Sequence, residues 1–391
     1  MIVEDRDLAN ATRALVEWAR TRALPFWAER GFDRTHGRFE ERLSMDGGLL
    51  PDAPVRLMVQ GRQIFVYAQA AALCWRDDAR ELVETAFHSM VRDFHRADGA
   101  SGWVHSIARN GGVVDDRRDT YAHAFVLLAI ASYVGATGDR KALALADDTL
   151  AYLDANASAG ASGGYLDALP PFDDMRRQNP HMHLFESTLA LFEASGEERY
   201  LARANALFDL FARAFFQRES GVLLEYFDRD LKPFKGEAGR IVEPGHHFEW
   251  IWLLRRFSQF SGRDVSKHVD GLYDHALRFG SDASGMPYDE ILVEGAPRLR
   301  SHRAWPVTEA IKAHVIEAEE GRAGACARAT MFSRLLAKHF LLDEPVGGWI
   351  DRLDEHGRSV SDFMPASTFY HVFCAIAELT RAQSATHAMG G

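Results

Sequence analysis

Cysteine is scarce in this chain: Cys74, Cys326 and Cys374 are the only three in 391 residues. They are odd in number, far apart and without CxxC spacing. That argues against a disulfide framework and a thiolate zinc site, and makes a reducing cytoplasm the expected setting. Clustered positive charge is also missing. The 45 lysines and arginines are dispersed and the formal net charge is −11, so no basic stripe could displace counterions from a nucleic acid, and that partner class is excluded. No apolar run in the pattern approaches membrane-spanning length, and the opening "MIVEDRDLANATRALVEW" is acidic and helical in period, without a charged-then-apolar leader; no membrane partner is expected. There is no Gly-rich phosphate loop, no GxSxG elbow, no HExxH and no cysteine beside a histidine motif, which removes nucleotide fingerprints, the hydrolase elbow and the commonest catalytic metal site.

What is present is a repeat. A glycine followed by strand-like alternation occurs six times, in "HGRFEERL", "SGWVHSI", "GGYLDAL", "GVLLEYFD", "GMPYDEI" and "GGWIDRLD". The anchors are Gly37, Gly102, Gly164, Gly221, Gly285 and Gly348; the longest interval, Gly37 to Gly102, is 65 residues and the shortest, Gly164 to Gly221, is 57. That period suits two helices plus their connections. Four repeats carry a second punctuation between helical stretches, "ATGDRK", "ASGEER", "FSGRDV" and "EEGRAG", so one unit reads as hairpin, helix, tight turn, helix. Segments such as "AHAFVLLAIASYV" are apolar on nearly every face and read as inner helices, whereas "ERYLARANALFDLFARAFF" has one apolar stripe and reads as an outer one. Closure is favoured over an open solenoid, because the last unit lacks a polar capping face. The expected fold is all-α: an (α/α)6 barrel of six inner and six outer helices with short β-hairpins in the connecting loops, a single domain over residues 1–391. An eight-fold β/α barrel is the alternative, but its core strands are missing.

Each inner helix carries a polar residue near its start: Arg62, His123, His183, His246, Glu309 and His371. One such group alone is most simply a hydrogen-bonded core residue; six in register suggest one pocket. In "EPGHHFEWIWLL", His246, Glu249 and Trp250 stand at i, i+3 and i+4 on one face, with His247 a quarter-turn away, and Glu249 is placed to accept from the imidazole and fix its tautomer. A local cap cluster is the plainer account of the same residues. "QNPHMHLFE" offers Asn179 near a helix start and a second i, i+3 pair, His183 and Glu186; His181 makes a metal conceivable, but no third ligand motif accompanies it. "SHRAWPVTEAIKA" sets Trp305 beside Glu309, "MPASTFYHVF" places Tyr370 and His371 just inside a helix, and "VQGRQIFVYAQA" buries Arg62 among apolar residues, where it must be paired or hold an anion.

Histidines with orienting carboxylates, an arginine and aromatics suit proton abstraction beside a carbonyl, with the cation stabilising an enediolate oxygen. Glycoside hydrolysis is the rival, kept open by Glu186, Glu249 and Glu309. Together "VQGRQIFVYAQA", "DTYAHAF", "NPHMHLFE", "EPGHHFEWIWLL", "RAWPVTEA" and "MPASTFYH" resemble the N-acylglucosamine 2-epimerase superfamily, in order and spacing over nearly the whole chain. The resemblance implies the (α/α)6 barrel, proton transfer without metal or other cofactor through a cis-enediolate, and two catalytic histidines, which fall on His246 and His371. It also implies a sugar site lined by Arg62, Tyr121, Asn179, His183, Glu249, Trp305 and Glu309, with Trp252 adjacent. The closing "PASTFYH" is most like the mannose isomerase and sulfoquinovose isomerase branch; the cellobiose 2-epimerase branch has an aspartate where this chain has His247.

The expected activity is therefore interconversion of D-mannose and D-fructose, with D-lyxose and D-xylulose as a side reaction. His371 is expected to move the carbon-bound proton and His246 to open the ring. N-acylglucosamine 2-epimerisation and sulfoquinovose isomerisation are alternatives, the latter through Arg176, Arg177, Arg240 or Arg303. A non-catalytic binding protein is the reading from another class. The expected partner is a monosaccharide, and the expected assembly a monomer or homodimer.

Overall fold

The computed structural model describes residues 6–389, with side chains through residue 384. Thirteen helices are among them: α1 (Arg6–Trp18), which runs through a π turn into α2 (Leu24–Arg30), α3 (Leu57–Ala72), α4 (Ala79–Phe94), α5 (Thr120–Thr137), α6 (Leu143–Tyr152), α7 (Asn179–Ser195), α8 (Glu198–Leu210), α9 (Pro244–Ser261), α10 (Ser266–Phe279), α11 (Ala304–Glu319), α12 (Ala325–His339) and α13 (Ser367–Met389). Proline in the first turn of α7, α9 and α11 sets the helical φ where the missing N–H would lack a partner anyway. Left-handed glycines Gly138, Gly196 and Gly262 stop α5, α7 and α9, which is the role the second punctuation predicts.

α3, α5, α7, α9, α11 and α13 pack each on the next, and α13 returns onto α3. The intervening helices lie outside, with α1 against α12 and α13. The loops close the same circle. The strand that leads into each inner helix pairs with a strand of the following hairpin: Val55–Arg56 with Ser106–Ile107, Arg118–Asp119 with Ala168–Leu169, Arg176–Arg177 with Tyr226–Phe227, Ile241–Val242 with Ile291–Leu292, and His302–Arg303 with Arg352–Leu353. The last, Phe363–Pro365, pairs with Arg42–Ser44 of the first unit. Each of these six ladders thus leads into the N-terminal end of an inner helix.

Two sequence expectations change. α5 is long and apolar enough to cross a membrane by length and composition, contrary to the pattern reading, but 72% of that window is buried in the protein, because the helix is walled by α3 and α7. In the sixth hairpin the left-handed residue is Gly347 (φ +97°), and Gly348 is not in that region; the first five anchors all have positive φ.

Candidate active site

Each inner helix delivers one or two polar side chains from its first turns to the axis of the ring. Arg62 of α3 donates from Nη2 to the Tyr121 hydroxyl of α5 at 2.6 Å and lies 4.3 Å over the Phe125 ring. Tyr121 meets the His183 ring of α7 edge-on at 5.0 Å. His183 donates from Nδ1 to Glu186 at 2.9 Å and turns Nε2 toward Glu249 of α9, 4.0 Å away. The Trp305 indole of α11 lies between the two imidazoles of interest, 4.9 Å from His246 and 5.7 Å from His371 between ring centres. His371 of α13 donates from Nδ1 to Glu309 at 2.9 Å, and its neighbour Tyr370 donates to Glu186. Glu309 also accepts from the Lys312 ammonium at 2.7 Å, and both are essentially without solvent exposure, at 0% and 1%.

His246 is oriented otherwise than its helical face suggests. Its Nδ1 donates to Glu225 at 3.0 Å, a residue of the preceding hairpin, and not to Glu249. Glu225 accepts as well from Gln178, whose own oxygen accepts from Trp250, so one chain of hydrogen bonds ties α9, α7 and the hairpin loop. This network fixes the ring plane and keeps a proton on Nδ1.

The two imidazoles lie in opposite fields. Burial alone would depress His246, but Glu225, Glu243 and Glu249 outweigh it and lift the group to about 9. Burial depresses His371 too, and there the Arg62 and Lys312 cations add to it, taking the group well below its ordinary 6.5. His183 is likewise lowered by burial, although Glu186 opposes. Burial and the neighbouring Glu309 carboxylate hold Glu249 well above the ordinary carboxylate range. At neutral pH this gives one charged imidazole, His246, and one neutral imidazole, His371, whose Nε2 lone pair is free because Nδ1 carries the proton.

Glu249 Oε1 and Arg62 Nε in this cluster, and Asn179 Oδ1 at the start of α7, are buried without a hydrogen bond. Buried polar groups normally find partners, so such a set is what a polyhydroxylated ligand would satisfy. Acid and imidazole groups also meet in metal-compatible trios, His183 with Glu186 and Glu249, and Glu249 with Glu309 and His371. Glu186 and Glu309 in those trios are already bonded to histidine, tyrosine or lysine, whereas Glu249, common to both, keeps one oxygen without a hydrogen bond.

Of the six residues in register, five reach this centre. His123 does not. It donates from Nδ1 to the Asp119 carbonyl at 2.7 Å and accepts at Nε2 from the Trp103 N–H at 3.3 Å, clamping its hairpin. His181 does the same between the Arg177 carbonyl and the Tyr165 N–H, which leaves it no lone pair for a metal. His247 accepts from the Leu223 N–H at 3.1 Å, and in the first unit Gln60 pairs with both backbone groups of Phe39. Trp252, expected beside the sugar, carries the Lys312 ammonium on its ring face at 4.2 Å. The four arginines considered for a sulfonate are engaged: Arg177 with Asp167 and Asp173, Arg240 with Glu294, Arg303 with Asp289 and Glu243, and Arg176 with backbone carbonyls. Glu225, Glu243, Gln178 and Lys312 are pocket-forming residues that the sequence motifs did not single out.

Residues 37–375 match the family model for N-acylglucosamine 2-epimerase (GlcNAc 2-epimerase). The chain is 35% identical over 380 residues to a mannose-6-phosphate isomerase of Rhizobium meliloti, covering 93% of this chain and 95% of that one. Among solved structures it is similar to a cellobiose 2-epimerase from Spirochaeta thermophila, with a TM-score of 0.86 at 23% identity over 97% and 98% of the two chains. It is similar also to a D-mannose isomerase, with a TM-score of 0.85 at 21% identity over 96% and 99%.

Proposed function

The chain belongs to the N-acylglucosamine 2-epimerase family, and on that premise we propose that it is a D-mannose–D-fructose isomerase built on a single (α/α)6-barrel domain. The observation that carries this reading is two imidazoles on either side of Trp305 in opposite surroundings: His246 bonded to Glu225 with Glu243 and Glu249 acting on it, which favours its charged form, and His371 under the Arg62 and Lys312 cations, which favour its neutral form. An aldose–ketose shift needs both: an acid to protonate the ring oxygen as the pyranose opens, and a base to lift the proton from C2 and return it to C1. His246 is the acid and His371 Nε2 the base. Arg62, with Tyr121 in its grip, faces the oxygen on which enediolate charge develops. Glu309 keeps the His371 tautomer that leaves Nε2 free, and Lys312 balances the charge of Glu309. Asn179, His183 and Glu249 bind hydroxyls, and Trp305 supplies an apolar face to the sugar ring. No step requires a metal ion, because the guanidinium and the imidazolium supply the positive charge.

Incubating the protein with D-mannose in deuterated water, with and without EDTA, and following products by NMR tests this reading. Fructose carrying deuterium at C1, formed equally in both, is the expected result. Glucose in place of fructose means 2-epimerisation, and absence of turnover or exchange with any sugar tested means a binding protein.

A further inference from the structure

A cavity of about 600 Å3 lies among the loops over α3, α5 and α13, the helices that carry Arg62, Tyr121 and His371. Its wall is rich in guanidinium: Arg42, Arg56 and Arg117 line it together with Glu41 and Asp115. Glu41 is committed to Arg56, accepting from its Nε at 2.7 Å and from its backbone N–H at 3.1 Å. Asp115 is committed to Arg117. Arg42 is left over. Among the described residues it makes no salt bridge, although the Glu41 carboxylate is within its electrostatic reach; it lies 4.3 Å over the Phe363 ring, and its Nε is buried without a hydrogen bond. A partly buried guanidinium without an acceptor is an unmet demand for an anion.

Arg56 stands at the N-cap of α3, and α3 and α13 carry no acidic residue in their own first turns; the carboxylates nearest these ends, Glu41 on the Arg56 N–H and Asp351 on the Thr368 hydroxyl, come from neighbouring loops and are already engaged. The cavity is also next to the chemistry: Pro365, which lines it, pairs with Arg42 across the closing ladder. Two residues further on, the Ser367 carbonyl accepts from Arg62 Nη1 at 3.5 Å.

We propose that this cavity is an anion subsite that takes a tetrahedral oxyanion, phosphate ester or sulfonate, carried on the far carbon of the sugar, with Arg42 as its principal ligand. The inference rests on the isomerase reading for its substrate, but the subsite stands on its own geometry. It is tested by comparing kcat/KM for mannose, mannose 6-phosphate and the 6-sulfo hexose in the wild-type chain and in Arg42→Gln. The expected result is at least a tenfold preference for one of the charged sugars in wild type, lost in Arg42→Gln, with mannose turnover unchanged; which charged sugar is preferred identifies the oxyanion. Equal kcat/KM for charged and neutral sugars, or a preference that survives Arg42→Gln, overturns the proposal. If no sugar is turned over, the isomerase reading has failed, and calorimetric titration with inorganic phosphate still decides the subsite. Binding to wild type that is at least tenfold weaker in Arg42→Gln supports it, and no phosphate binding overturns it.

Discussion

His246 and His247 are adjacent in the chain, lie on the same helix and are both buried, yet one is lifted to about 9 and the other depressed to about 3. Burial pushes both downward, so burial cannot be the difference. His246 turns inward to a carboxylate, Glu225, with Glu243 and Glu249 close by. His247 turns outward to a backbone N–H and to His275, whose ring is 5.3 Å away. The same division runs through the ring. His123 and His181, on the hairpin side, have backbone partners and are depressed to about 4 and about 3, whereas the axial histidines each have a glutamate. A glutamate is not sufficient either: His371 has Glu309, but Lys312 and Arg62 cancel that charge and leave the ring neutral. The axis is arranged for proton transfer and the periphery for holding loops.

The sharpest way to separate the two regions is to remove their histidines. His371→Ala and His246→Ala are expected to lower kcat by about 100- to 10,000-fold, the range for a general acid or base, with helical circular dichroism unchanged. Deletion at a clamp reverses the pattern. His247→Ala leaves the Leu223 N–H without a partner, at about 1–3 kcal/mol of stability, so the melting temperature falls while kcat/KM of the folded protein stays within a few-fold of wild type.

Charge changes at Glu225 and Lys312 move the two limbs of the pH profile in opposite directions. In wild type, kcat/KM is expected to hold to well below pH 6.5, where His371 would gain a proton, and to fall above about pH 9, where His246 loses its own. Glu225→Gln removes the negative charge that holds the His246 proton, so the alkaline fall moves to lower pH. Lys312→Met uncovers Glu309, so His371 gains its proton more readily and the acid fall moves to higher pH. A profile unmoved by either change would remove the electrostatic distinction.

The smallest effect concerns stability in acid. His123, His181 and His247 have folded values below 6.5, so each contributes stability that is present above pH 6.5 and is lost as pH falls through about 4 to 3. His246 has the opposite sign, contributing below pH 6.5 and losing that contribution as pH rises through about 9. Gln60 makes the same kind of clamp with an amide that does not titrate. His123→Gln is therefore expected to keep the hairpin at neutral pH and to flatten the acid decline in denaturant midpoint; an unchanged decline would show that the clamps do not set it.

Much of this was legible in the sequence where the determinant is local or periodic. The glycine period gave the six units, apolar content distinguished inner from outer helices, and the i, i+3 spacing gave the His183–Glu186 pair that the structure contains. The His246 partner was not legible. Glu225 lies 21 residues upstream in a hairpin, and no helical spacing points from one to the other, so Glu249 took its place in the reading. Lys312 stood in view three residues after Glu309, but a lysine in a helix pattern is ordinarily solvated, and only packing shows that this one is enclosed. His123 shared the register of the pocket residues, yet its ring faces the other way, because one helical position decides between axis and hairpin.

The claim at the centre is that His246 is charged and His371 neutral in the resting protein at neutral pH. Histidine ring NMR on isotopically labelled protein, assigned with the two alanine variants and followed from pH 5 to 10, reads both states directly. The account predicts that His246 stays protonated through neutrality and titrates near 9, while His371 shows a neutral ring protonated at Nδ1 at neutral pH and above. Finding His371 charged at pH 7, or His246 titrating at or below 6.5, would contradict it.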